Sequence, residues 1–125
     1  MKISVPFARF GTLTAGEENT KVSLVYLKIL TALFVSFFGG RPHVGAVTAV
    51  LKPNLREYAK TVKLPGHHDD VVTRKAVSIL SQKIPGPIVT LAGIHYDNAT
   101  RPQIRAIVKN SEKLSRSLLA VLQKR

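Results

Sequence analysis

Each of the four histidines in this 125-residue chain lies at a join between expected elements. His43 follows Gly39-Gly40-Arg41-Pro42, His67 and His68 precede Asp69-Asp70, and His95 opens the polar stretch Tyr96-Asp97-Asn98. Imidazoles beside carboxylates can move protons, ligate a metal or hold an anion, and loops carried by a rigid scaffold are where such groups gather.

Three chemistries suit these residues. For anion binding, the glycine pair frees the backbone, Arg41 offers a planar fork for phosphate or carboxylate, and helix starts follow the other two junctions. Equally, Gly-Gly can be an ordinary β-turn beside a solvated arginine. For a metal, His43, His67, His95 and the aspartates are suitable ligand types, but adjacent His67-His68 lacks the i, i+4 spacing that places two ligands on one helix face. For catalysis, histidine and aspartate could serve as base and orienting partner. The chain has no cysteine and no Gly-x-Ser-x-Gly elbow, so it offers no evident nucleophile.

These junctions need a scaffold, and the length suits one domain spanning residues 1–125. A hydrophobic content of 45% is enough for a core. The stretch VYLKILTALFVSFF, Val25–Phe38, is interrupted by Lys28 and falls short of the ~20 apolar residues that span a bilayer. It reads as two strands rather than a membrane segment. No secretory signal pattern is visible, so the expected location is the cytoplasm.

Nineteen Lys and Arg against seven acids give a net charge of +12. Such a balance attracts polyanions, but the cations are dispersed without the interleaved aromatics that stack on bases, which argues against nucleic acid.

The apolar pattern predicts strands over Val22–Lys28, Leu33–Phe38 and His43–Leu51, an antiparallel meander preceded by a short arm or strand. Lys52–Gly66 reads as a long connection. Asp69 and Asp70 suit a helix N-cap before VVTRKAVSILSQK, where Val72, Ala76, Ile79 and Leu80 recur at helical spacing. Pro85-Gly86-Pro87 ends that helix, and Ile88–Ile94 is strand-like. Thr100-Arg101-Pro102-Gln103 matches a capping box ahead of a helix whose apolar stripe runs through Ile104, Ile107, Val108, Leu114, Leu118, Val121 and Leu122. The order is β-β-β-α-β-α: an α/β (α+β) sandwich, mainly antiparallel, with two helices over one sheet face.

Taken together, GGRPHVGAV, PGHHDDVVTRKAV and AGIHYDNATRPQI, in this order and followed by a C-terminal helix, resemble the prenylated-flavin chaperone LpdD-like domain, the family of the small D subunit of gallate decarboxylase. The resemblance runs from about Phe34 to Leu122. Its first motif matches Gly39, Gly40, Pro42, His43 and Gly45. The second matches Gly66, His67, Asp69 and Asp70, and the third Gly93, Ile94, His95, Asp97, Ala99 and Thr100. One departure is His68, where lysine is commoner.

The resemblance implies a fold like that of proteasome assembly chaperones, in a chain that forms a homodimer. It also implies a non-catalytic accessory protein that helps supply or mature the prenylated FMN of a UbiD-type decarboxylase and works beside that enzyme's catalytic subunit. The residues expected to hold FMN or prenylated FMN are Gly39, Gly40, Arg41, His43, Gly45, His67, Asp69, His95, Asp97 and Thr100. Two rivals remain at this point: an assembly chaperone acting through protein contacts only, and a metal-dependent enzyme using the His/Asp cluster.

Overall fold

The computed structural model describes residues 8–41, 43–52, 58–66 and 68–124. Strands β1 (Ala8–Ala15), β2 (Val22–Ile29), β3 (Ala32–Gly40), β4 (Ala46–Val50) and β5 (Lys60–Lys63) precede helix α1 (Asp70–Leu80). Strand β6 (Ile88–His95) and helix α2 (Arg101–Gln123) complete the order. The six strands form one sheet ordered β1-β2-β3-β6-β4-β5. Only the β3/β6 pairing is parallel; the others are antiparallel.

Alternation decides which side of the sheet is buried. Val22, Leu24 and Tyr26 of β2, Leu33, Val35 and Phe37 of β3, and Ile88 and Ala92 of β6 point into the core. There they meet Val72, Ala76 and Leu80 of α1 and Ile107, Leu114 and Leu118 of α2. Helix α1 packs over β4 and β6, and α2 over β1 and β2. The outward set on the other face includes Val25, Leu27 and Phe34, all exposed.

The α+β sandwich with two helices holds, and the fold contains two strands beyond the β-β-β-α-β-α order. The N-terminal stretch expected as a short arm or strand is a strand, β1, which pairs along its whole length with β2 from Ala8↔Ile29 to Ala15↔Val22. Within the stretch read as a connection, Lys60–Lys63 forms β5, a four-residue edge strand on β4. Three of its four residues are exposed, so it carries no apolar period to read. Nor do the early strands form a continuous meander: β2 and β3 make a hairpin, but β6 separates β3 from β4.

Helix α2 begins as its sequence predicts. Thr100 Oγ1 accepts from the Gln103 amide at 3.2 Å and Gln103 Oε1 from the Thr100 amide at 3.3 Å, with proline in the first turn. Ile104 departs from the expected stripe and is 49% exposed. Ser111 and Ser115 are buried on the inner face instead, each hydroxyl donating to the carbonyl four residues earlier. That bond removes the cost of burying the hydroxyl.

Gly93 sits where the chain after β3 crosses β6. A Cβ there would stand 1.4 Å from the His43 carbonyl oxygen. Because the obstacle is backbone on both sides, Gly93→Ala is expected to lower stability by about 3 kcal/mol or more, measured as the shift in urea midpoint against wild type.

Candidate functional site

The parallel pairing of β3 with β6 sets Gly39 opposite Ile94 and Gly40 opposite His95, so both strands deliver their following residues to one end of the sheet. The Arg41 amide donates to the His95 carbonyl at 3.1 Å, and the Gly45 amide to the Ala92 carbonyl at 2.8 Å. These two N–H groups are therefore used in strand contacts. Gly40 has a φ of +65° and its Cβ position lies 1.9 Å from the His95 oxygen, which only glycine accommodates.

Helix α1 joins the same end through Asp69. Expected to cap the helix with its side chain, Asp69 instead takes helical dihedrals, φ −64° and ψ −16°, and makes no side-chain cap bond. Its buried carboxylate turns to the sheet, where Oδ1 accepts from the Ile94 amide at 3.0 Å. The other oxygen, Oδ2, faces His43 Nε2 at 3.4 Å. Tertiary pairing has outcompeted the local cap.

From these anchors a polar chain runs across the sheet end. Asp97 Oδ1 accepts from an Arg41 terminal nitrogen at 2.8 Å and from His95 Nε2 at 3.0 Å. An ionised carboxylate has no proton to give, so His95 Nε2 carries the hydrogen and, in the neutral ring, Nδ1 is the acceptor. The His95 hydrogen bond, followed by the Arg41 charge, holds the Asp97 carboxyl below its ordinary pKa. On the other side, His43 Nδ1 lies 3.2 Å from the Arg41 carbonyl. Both His43 nitrogens thus face oxygen acceptors, and only the imidazolium donates to both. The His43 and His95 rings meet edge to face with centroids 6.2 Å apart.

A cavity of about 340 Å³ adjoins this chain. His68, Asp69 and His95 stand on its polar side, while Ile94, Ile104 and Val108 supply apolar wall. Tyr96 also lines it, its hydroxyl donating to the Lys21 carbonyl at 2.6 Å.

The structure therefore brings Arg41, His43, Asp69, His95 and Asp97 together. Gly39, Gly40 and Gly45 lie at the strand ends that deliver them, and Thr100 uses its hydroxyl on the α2 cap. His67, like Pro42, lies outside the described residues. Sequence reasoning missed Tyr96, Ile104 and Val108 as cavity walls. The available signal was an apolar pair four residues apart directly after the cap, which read as core. Among the described residues, no three His, Asp or Glu side chains converge as a metal-binding group.

With this geometry in place, three comparisons are informative. A model of the prenylated flavin chaperone LpdD-like domain matches residues 16–123. Protein LpdD of Lactiplantibacillus plantarum is 30% identical over 118 residues, covering 90% of this chain and 85% of that protein. A chain from the crystal structure of a novel chaperone complex for yeast 20S proteasome assembly superposes with a TM-score of 0.55 at 14% identity, covering 94% of this chain and 96% of its own. At that identity the last likeness concerns the fold alone.

The two partners of Asp97 differ in weight, and the order is measurable. His95→Ala is expected to raise the Asp97 pKa more than Arg41→Ala, since the His95 hydrogen bond is the larger cause. Because the folded value is depressed, these contacts contribute stability above the unfolded value of about 3.9 and lose it as pH falls through the folded value. A carboxyl-detected NMR titration of wild type and both variants reads the order directly.

Proposed function

The chain belongs to the prenylated flavin chaperone LpdD-like domain family, and from that premise we propose that it binds prenylated FMN or FMN at the three-junction cluster and passes it to the catalytic subunit of a UbiD-type decarboxylase. Family membership carries the coarser role, that of a chaperone or accessory protein. The finer reading rests on one observation: the chain of polar groups from Arg41 through Asp97 and His95 to His43 and Asp69 stands beside a cavity with apolar and aromatic walls.

A phosphorylated flavin needs cationic donors for its phosphate and an apolar slot for its ring. Arg41 supplies the first, with the ring nitrogens of His68 and His95 as further polar contacts, and Ile94, Ile104, Val108 and Tyr96 supply the second. Bound flavin would supply the decarboxylase's chemistry; this chain's residues hold and release it. The Arg41–Asp97 pair favours release, because its side chains are 73% and 71% exposed. Exposed ion pairs are worth roughly 0–1 kcal/mol, so Arg41 can exchange between Asp97 and a phosphate at little cost. That suits a carrier, which must let go.

The same reading has the protein act as a cytoplasmic homodimer. No helix among the described residues is long and apolar enough to cross a membrane. The sheet face away from the helices carries Phe10, Leu27 and Phe34 side by side on three neighbouring strands, with exposures of 77%, 36% and 42%. Val25 and Val62 extend this apolar surface. Solvated sheet faces are ordinarily polar. A second copy stacking its own face there about a twofold axis would cover it.

Two measurements test these parts separately. Titrated with FMN under flavin fluorescence, the wild-type protein is expected to quench saturably and to bind riboflavin, which lacks the phosphate, more weakly. His95→Ala and Arg41→Ala should each weaken FMN binding by about tenfold, the loss of one charge-assisted hydrogen bond. Unchanged affinity in folded variants would remove the site and favour a chaperone working through protein contacts. In sedimentation, wild type should run as a dimer and Phe34→Glu as a monomer; a monomeric wild type rejects the interface and leaves the flavin test intact.

A further inference from the structure

Although the cations are dispersed along the sequence, the fold gathers a set of them on the outer side of α2. Arg101, Arg105, Lys109 and Lys113 follow one another at four-residue steps and Arg116 comes three later, all exposed. At 3.6 residues per turn, these side chains fall within roughly a third of the helix's circumference and along roughly 22 Å of its axis. The inner side is committed elsewhere, with Ile107, Leu114 and Leu118 buried in the core.

The helix's own stability does not account for this ridge. Like charges four residues apart repel, and three such steps succeed one another here. Arg101 stands in the first turn, where the helix dipole favours carboxylates, and that turn holds no acid. Glu112, the one acid of α2, is shared between Lys75 at 3.6 Å and Arg116 at 3.7 Å. Among the described residues, Arg101, Arg105, Lys109 and Lys113 form no ion pair. A shallow groove with Ile104, Ala106 and Val108 flanks the ridge near its start, and a second, with Ala106, Asn110 and Ser117, continues along the helix. Ile104 and Val108 also wall the cavity beside His95.

The ridge discriminates among anionic partners. A nucleic acid would find no aromatic ring on α2 to stack on, and Glu112 would face its phosphates. An anionic lipid surface takes up an apolar helix face below the cations, and that face of α2 is already packed on the sheet. A partner helix with carboxylates every fourth residue repeats at about 6 Å, the step of the ridge itself. Small apolar side chains between those carboxylates fit the flanking grooves. We infer that the outer face of α2 is a docking surface for an acidic helix of a protein partner, laid along the ridge with one end beside the first cavity. The surface does not depend on the flavin reading.

The test is an amide NMR titration of the full chain at low salt with an alanine-based helical peptide of about 20 residues bearing glutamate at every fourth position. Duplex DNA and co-sedimentation with phosphatidylglycerol vesicles serve as comparisons. Saturable shifts are expected along α2 from Arg101 to Ser117, weakening as salt is added. Arg101→Glu combined with Arg105→Glu should weaken binding by about tenfold or more. Lys60→Glu combined with Lys83→Glu changes the net charge equally at exposed positions away from α2, and should weaken it by less than about threefold. The α2 double variant should also melt a few degrees above wild type, because carboxylates suit the first turn and relieve the repulsion, so its lost binding is not lost folding. The inference is overturned if both double variants weaken binding equally, if shifts spread over the basic residues of the whole chain, if DNA or the vesicles bind more tightly than the peptide, or if the α2 double variant melts below wild type.

Discussion

Everything at the functional end of this molecule depends on three backbone segments passing closer together than side chains would allow. Residues 39–40, 43–45 and 92–95 meet where β3 ends, where β6 ends and where the chain crosses between them. The Cβ positions at Gly93 and Gly40 lie 1.4 Å and 1.9 Å from carbonyl oxygens. Protein interiors give little at such distances, and backbone gives less than side chain. The crossing therefore holds the backbone at Arg41, His43 and His95 in one arrangement, although His95 lies far along the chain from the other two. Asp69 adds the third element by accepting the Ile94 amide, so the start of α1 is fastened to the same strand end.

In a chain with nineteen basic residues, the few acids act as nodes. The sequence contains three aspartates, and all of them stand at or beside these junctions. Asp97 gathers Arg41 and His95; Asp69 gathers His43 and a backbone amide. Asp70 draws Lys63 to 3.7 Å and Arg74 to 3.8 Å. Asp69 and Asp70 are buried and so screened less than surface pairs. Asp97 is exposed, so its pairs are the more strongly screened.

Much of the architecture was legible because its cues are local. The capping box at Thr100 and Gln103 and the α1 stripe of Val72, Ala76, Ile79 and Leu80 depend on spacing within one segment, and both stand as read. The three polar junctions were legible as a group, and the family likeness placed them in order. What escaped was set by partners distant in sequence. The N-terminal stretch, readable only as an arm or a short strand, is settled as β1 by full-length pairing with β2, and β5 is a short exposed edge without a pattern. Asp69 carries every mark of a local cap, and only the approach of Ile94 redirects it. Ile104 keeps helical spacing but faces a cavity rather than the core.

The position of β6 has a consequence for how the chain reaches this state. It is the sixth strand in sequence yet lies between β3 and β4, and it is the only strand that β3 pairs with in parallel. As the chain emerges during synthesis, the β1-β2-β3 ribbon and the β4-β5 pair have no link through the sheet until residues 88–95 are made. Both facing edges stay open through that interval, and contacts so distant in sequence close slowly. An apolar ribbon with an open edge is a template for pairing with other chains. A member of a chaperone family thus passes through its own vulnerable stage, which ends when a single late strand slots into the middle of its sheet.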